Sequence, residues 1–455
     1  MHSGSVNRRR FLRGACASAV TAGVLMPLWT AIAQTGDIAR AYPDELLSLE
    51  AYTKGRIKAG DEISADNVEY VKDLLEPIKY EQIVKLGRRL KVAKTTTDLT
   101  RLSPWEYLEA TLRNQGQARF DAKGNVVTLE GKPWIGGNPF PAPTSALEFF
   151  AGLTLSWGRH DASFYCVKET DLSPAGEVQF QYESGWAELA PTGRVSVIPK
   201  PYWPGHEDTL RYQSVFFASP DAVKGTSFLN VWAYDQSTFP KLYGYLPAFK
   251  RIRTFPSEQR FEPLIPGSTL YLSDAWAAGD PLLTWGNYRI VGRGPTLAAV
   301  SHGWNSAHPN WEHGTHGGPF GKTFWDTTVE LVPEAVVVEA APVKFPRAPI
   351  SKKHVWFDLR TLLPVAMVSF DRRGDPYRSF DGAYALYDAP GVAVMDGAHP
   401  YWSWTHVHVF DSQTGRMSRL EQVRTISGGH TTSVNDLSIY DRYLTNVALM
   451  RLGDS

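Results

Sequence analysis

Cysteine is nearly absent from this chain of 455 residues. Only Cys16 and Cys166 occur, and Cys16 lies in an N-terminal segment that we read as a cleaved leader, so the mature protein has no pair from which to form an intrachain disulfide. An excess of one charge sign is missing as well, with 47 Lys+Arg against 47 Asp+Glu. Without a basic excess, a Lys/Arg block beyond the first residues or a zinc-finger spacing, a nucleic-acid role has no footing. Nucleophile elbows, phosphate-cradling Gly loops, paired Cys ligands and a helical His-Glu-x-x-His are also missing, and Gly292-Arg293-Gly294 lacks the third Gly of a dinucleotide fingerprint. These gaps count against common hydrolase, nucleotide-binding and zinc-peptidase functions. No second apolar run long enough to span a bilayer follows the leader, which leads us to expect a soluble mature chain.

The leader itself is the most informative segment present. Asn7-Arg8-Arg9-Arg10-Phe11-Leu12-Arg13 is followed by an apolar stretch from Ala15 to Trp29 and by the small residues Ala31 and Ala33. A basic start, an apolar middle shorter than the ~20 residues a bilayer needs, and a small-x-small site before Gln34 describe a twin-arginine export signal. Residues 1–33 are therefore expected to be removed after Ala33, with the mature protein in the periplasm. Loss of four arginines leaves that mature chain mildly acidic. Because this export route carries folded proteins, often with a cofactor inserted, it keeps a bound metal open.

Aromatic residues are plentiful, with 15 Trp, 20 Tyr and 21 Phe alongside 31 Pro and 38 Gly. Aromatics favour pleated, half-buried surfaces and Pro/Gly punctuate turns, so the balance predicts many strands with irregular connections. From Tyr42 to about Gly116 the pattern is helical. Ser64 is expected to cap a helix over Ala65 to Glu76 that Pro77 stops, and Ser103-Pro104-Trp105-Glu106 reads as a capping box with Pro at the first helical position. Strands are expected at 177–183, 209–217, 227–235, 240–246, 249–255, 286–292, 325–341, 353–360, 364–372 and 404–411, each bounded by turn residues. The resulting expectation is a mainly β, α+β protein: an N-terminal helical cap region over residues 34–152 packing on an antiparallel β domain over 153–455, with a His-rich loop at 292–321.

Two groups of side chains are candidates for chemistry. Leu229, Val231 and Ala233 share one face of a strand while Trp232 and Tyr234 share the other, so the aromatic face either lines a cavity or belongs to a sheet packed on both sides. We take Trp232, Tyr234, Tyr243, Tyr245 and Phe249 as a candidate apolar lining, and Lys250, Arg251 and Arg253 as a basic strand that could meet an acidic head group. The second group is His302, His308, His313 and His316, four of the twelve histidines within fifteen positions, with Glu312 among them. Imidazoles are the commonest protein ligands of zinc, copper or nickel, and a Gly-rich loop could fold several around one ion with Glu312 as general base. Surface or hydrogen-bonding histidines on a loop fit the same pattern. His406-Val407-His408, with alternate strand positions facing one way, is a further candidate chelating pair or a polar strand face.

Ala59-Gly60-Asp61-Glu62-Ile63-Ser64-Ala65-Asp66-Asn67, Gly137-Asn138-Pro139-Phe140-Pro141, Tyr243-Gly244-Tyr245-Leu246-Pro247-Ala248-Phe249-Lys250-Arg251-Ile252-Arg253, and Lys353-His354-Val355-Trp356-Phe357-Asp358 through Asp371-Arg372-Arg373-Gly374 resemble, in order, segments of domain-of-unknown-function family 1329. That family is described as similar to outer-membrane lipoprotein-sorting proteins. The resemblance implies a strongly curved antiparallel sheet, a half-open barrel closed by a helical cap, whose concave face shelters acyl chains or another hydrophobic molecule. It also implies a resistance-nodulation-division transporter or an outer-membrane protein as partner. Two functions follow. The first is a periplasmic carrier of a lipid or other hydrophobic small molecule, which requires no cofactor and no catalytic residue. The alternative is a metal-dependent periplasmic enzyme using the loop 302–316 with a bound transition metal.

Overall fold

The computed structural model of the protein describes residues 42–256, 260–263, 265–274, 280–316, 324–392 and 394–453, and the expected export leader with its cleavage site lies outside them. Helices α1 (Asp44–Leu47), α2 (Leu49–Tyr52), α3 (Pro77–Leu86), α4 (Trp105–Arg113) and α5 (Ala146–Leu155) precede the long strands, and α6 (Ile439–Tyr443) and α7 (Asn446–Gly453) follow them. The expected helix after Ser64 is a 3-10 segment over Val68–Leu74, and Pro77 opens a helix as well as ending one. Glu76 explains the restart: its carboxylate accepts the otherwise orphaned N–H groups of Ile78 and Lys79, both at 2.7 Å, with Pro at the first helical position. At α4 the expected capping box is not formed, because Ser103 Oγ instead accepts a hydrogen bond from Arg159 and Pro104 occupies the cap. A true capping box caps α5, through Ser145 and Glu148.

Sixteen strands of the described residues form one sheet. They are β1 (Glu62–Ile63), β2 (Leu90–Val92), β3 (Ala162–Leu172), β4 (Val178–Leu189), β5 (Thr209–Ser219), β6 (Ser227–Ala233), β7 (Lys241–Leu246), β8 (Arg251–Phe255), β9 (Gly286–Ala298), β10 (Thr328–Ala341), β11 (Ile350–Asp358), β12 (Leu363–Asp371), β13 (Pro376–Leu386), β14 (Trp402–Asp411), β15 (Arg416–Val423) and β16 (Ser433–Val434). Their order is β1-β2-β10-β11-β12-β13-β14-β15-β3-β4-β5-β6-β7-β8, with β9 beside β10 and β16 beside β3. Every pairing is antiparallel except β2 with β10. The sheet does not close into a barrel, since its path ends at β1 and β8.

Strong curvature follows from the packing. Seven strand steps separate β10 from β4, roughly 34 Å on a flat sheet. Yet α5 touches both sides: its Phe149 ring lies 5.3 Å from that of Phe357 on β11, next to β10, and Arg211 on β5, next to β4, donates to its Thr154 carbonyl at 2.6 Å. The sheet therefore curls around α5, and its inner face is the face turned to that helix. The segment Gly137-Asn138 locks the N-terminal region in place: a Cβ on Gly137, whose φ is +74°, would lie 2.4 Å from the Thr111 nitrogen of α4, and Asn138 N–H donates to Thr111 Oγ1 at 2.8 Å. On the opposite, outer face, α6 and α7 seal an aromatic layer of Phe164, Phe216, Tyr245 and Tyr443. Here too contact is close, because a Cβ on Gly453 would meet the Tyr245 ring at 1.9 Å.

Candidate functional site

Strand alternation brings aromatic side chains from distant segments together on the inner face. Ser184, Trp186 and Glu188 of β4 point inward, as do Phe380, Gly382 and Tyr384 of β13 and Leu420 of β15. In β14 a register shift beside Thr405 changes the phase, so Trp404 and Val407 both face inward although they are three residues apart. Together with Trp157 and Leu270, all of these except Ser184 and Glu188 line an apolar cavity of about 20 Å³. A polar cavity of about 50 Å³ adjoins it, bordered by Tyr107, Arg159, His160, Asp161, Glu188 and Arg211. Trp157, from the turn after α5, borders both.

Hydrogen bonds fix that shared wall. Trp157 Nε1–H donates to Glu188 Oε1 at 2.6 Å, and Gln213 Nε2–H donates to the same oxygen at 2.9 Å. Burial pushes the Glu188 carboxyl up to about 7 against the opposing pull of Arg211. Burial likewise brings the Arg211 guanidinium down to about 10, with Glu188 opposing. His160 places Nε2 2.8 Å from the Trp402 carbonyl and Nδ1 3.1 Å from Asp396, the latter off the in-line direction of a good hydrogen bond. Burial alone would lower its pKa, but Asp396 and the Trp402 carbonyl outweigh it and the net displacement is upward. Asp161 accepts N–H groups from Val195, Ser196 and Val197, which oppose burial, but burial prevails and its carboxyl is displaced upward.

The residues singled out on β6 to β8 are divided between the two faces. Trp232 is buried on the inner side beside Leu210, with the Arg211 and Arg260 guanidinium carbons 4.7 and 5.6 Å from its ring centre. Tyr234 accepts from Trp134 N–H at 2.6 Å and donates to the Val126 carbonyl at 2.7 Å, which ties the N-terminal region to the sheet. Tyr243 and Tyr245 lie opposite Leu229 and Ser227 in register and pack on the outer side under the C-terminal helices. Phe249, Lys250 and Arg251 are exposed at the sheet's β8 end, and the Arg253 guanidinium lies 4.0 Å from the Phe249 ring centre. None of these eight borders the two cavities.

The His-rich loop is docked on the outer face through Trp304 and Trp311, which pack with Tyr387 and Tyr401. His302 and His308 are exposed; the first contacts Ser301 Oγ, the second accepts backbone N–H groups of Asn310 and Glu312. His313 is half-buried, donates its backbone N–H to Glu421, and has its ring 5.3 Å from that of His406. Thus the loop and the His406-Val407-His408 pair meet, a proximity that sequence distance conceals. Glu312 is ion-paired with Lys168 at 2.8 Å. His408 lies between Arg88 and Arg419, and burial and those guanidinium groups hold both His406 and His408 well below the ordinary imidazole range. The His316 side chain lies outside the described residues, among which no three His, Cys, Asp or Glu side chains gather as metal ligands.

No curated protein matches the chain. Among solved structures it is similar to a DUF1329 family protein from Desulfovibrio piger, at 14% identity and a TM-score of 0.42 over 67% of this chain and 97% of that one. It is also similar to a domain from Vibrio parahaemolyticus described as an outer membrane lipoprotein-sorting protein (18% identity, TM-score 0.40, 67% and 97% covered) and to a LolA superfamily protein from Nitrosomonas europaea (12%, 0.35, 66% and 98%). A family model described as "Protein of unknown function (DUF1329)" matches residues 62–449, and the chain belongs to that family.

Proposed function

We propose that the protein is an exported binding protein that carries a lipid or other hydrophobic small molecule on the inner face of its curved sheet. The observation that carries this reading is the aromatic cavity of Trp157, Trp186, Tyr384 and Trp404 beside a polar one, under a helix that supplies Phe149 and Phe150. At about 20 Å³ the apolar cavity has room for little more than a water. A ligand must therefore take the place of side chains that fill the interior, and the wall it has to displace includes Trp157, whose hydrogen bond to Glu188 must break. A molecule hiding about 300 Å² of apolar surface gains roughly 7 kcal/mol, from which the opening of that wall is subtracted. The leader with Arg8 and Arg9 supports a periplasmic location, and the family resemblance supports a resistance-nodulation-division transporter or an outer-membrane protein as partner. No helix of the described residues is long and apolar enough to cross a membrane.

The test is a titration of purified protein with a dansyl-labelled fatty acid, read by energy transfer from tryptophan. Saturable binding supports the reading; a signal that rises linearly without saturation removes it. Mass spectrometry of an organic extract of natively purified protein then identifies the cargo.

A further inference from the structure

Among the groups around the polar cavity, Arg159 is the one whose cost the fold does not explain. It is a non-glycine residue at φ +60°, a conformation that costs on the order of 1 kcal/mol or more. Its side chain is buried, with 6% of the residue exposed. The guanidinium donates to Ser103 Oγ at 3.1 Å and to the Thr361 carbonyl, and lies 4.6 Å from the Tyr107 ring centre. Its Nε–H has no acceptor, and among the described residues no carboxylate lies within ion-pair distance. Asp358, the carboxylate that acts on it from further off, is already paired with Arg360 at 2.7 Å.

Elsewhere around that cavity His160 lies 3.1 Å from Asp396 and Asp161 is held by three backbone N–H groups, while Arg211 donates to the Thr154 carbonyl at 2.6 Å and feels Glu188 from further off. Arg159 is thus a guanidinium with a strained backbone, an unsatisfied Nε–H and no carboxylate at ion-pair distance among the described residues, buried at the junction of the polar cavity and a smaller one of about 10 Å³ bordered by Ser103, Tyr107 and Arg360. A buried charge without a counter-ion is expensive, and a fold that retains one in a strained backbone is poised to receive the counter-ion from outside. The apolar cavity begins on the far side of Trp157, so a molecule with an apolar tail and an anionic head matches both compartments.

We infer that the ligand is an anionic amphiphile whose head group takes the polar cavity, with Arg159 as its charge partner and the tail lying past Trp157 on the inner sheet face. This inference rests on the carrier function proposed above. Carboxylate and phosphate monoester heads share the required chemistry and are told apart by experiment. The purified mature protein is titrated at pH 7.5, below micelle-forming concentrations, with dodecanoate, dodecyl phosphate and methyl dodecanoate, which share one tail. At least one of the two anions should bind tenfold or more tightly than the ester, and the tighter of them names the head. Arg159→Gln should remove that preference, and Arg159→Lys should keep part of it. If the ester binds wild-type protein as tightly as both anions, the head-group assignment is overturned while the carrier function stands. If none of the three binds saturably, the carrier function itself fails. The wild-type comparison decides the matter even if Arg159→Gln does not fold. A folded Arg159→Gln protein that keeps the full preference moves the contact away from Arg159 and overturns its assignment.

Discussion

The two faces of the sheet are both buried, but by opposite means. On the outer face at β13 to β15 every strong charge has a partner: Asp381 takes Lys79 Nζ at 2.8 Å and Arg88 at 2.6 Å, and Arg419 bonds His408 and Glu421. Further along that face, Phe164, Phe216 and Tyr443 are closed off in a dry stack. The inner face holds cavities, a carboxyl held near neutrality and a guanidinium without a counter-ion. Under the carrier function proposed above, the outer face is the scaffold and the inner face is the part that the ligand fills.

Breaking the scaffold should cost most. Asp381→Ala leaves Lys79 and Arg88 buried without their carboxylate, and urea unfolding should show a loss of about 3–5 kcal/mol. A loss below about 1 kcal/mol would mean that the outer cluster is wetter than its burial indicates.

A pH comparison separates the faces next. Burial raises the Glu188 carboxyl from 4.5 to about 7, so the folded chain holds this proton more tightly than the unfolded chain. The stability it contributes is fully present below about pH 4.5 and is lost as pH rises through 7, by at most about 3 kcal/mol. His406 and His408, displaced downward by burial and the neighbouring guanidinium groups, act in reverse and weaken the fold as pH drops below 6.5. Relative to Glu188→Gln, wild-type protein should therefore lose stability between pH 5 and pH 8 in urea titrations. Parallel curves for the two proteins would refute the buried carboxyl.

Smaller effects sharpen the same contrast. Trp404→Ala should weaken binding of a dansyl-labelled fatty acid by about 1–3 kcal/mol through lost apolar and ring contact, with the far-UV circular dichroism spectrum retained. Smallest of all, His302→Ala with His308→Ala should shift stability by no more than about 0.5 kcal/mol, since both rings are exposed. Protein purified without an affinity tag should hold well under one equivalent of zinc, copper or nickel. A full equivalent lost in that double variant would reopen the metal-enzyme alternative.

Much of the strand pattern was legible because β5 to β8 and β10 to β12 carry β-branched and aromatic residues between clear turn residues. Strands β13 and β15 were not, since Arg378, Asp381, Arg419 and Glu421 are buried in them and break the polar/apolar alternation that marks a strand. Face assignment failed for a different reason. Aromatics alternate in both β6 and β7, but the register sets Tyr243 opposite Leu229, not on Trp232's side, and that phase depends on pairing between strands. The site itself was hidden because Trp157, Trp186 and Trp404 come from three separate stretches with no common motif. Only the Trp402-Ser403-Trp404 spacing hinted at an aromatic strand face. Arg159 carried no signal at all, as its significance lies in a backbone angle and a missing carboxylate.

The central claim, that the inner face is the exchangeable one, is tested most directly by titrating the dansyl-labelled fatty acid into wild-type protein, Trp404→Ala and Tyr243→Ala in parallel. The account predicts saturable binding at one site, weakened about fivefold or more by the inner-face Trp404→Ala and unchanged by the outer-face Tyr243→Ala. Binding that Tyr243→Ala abolishes and Trp404→Ala leaves intact would contradict it.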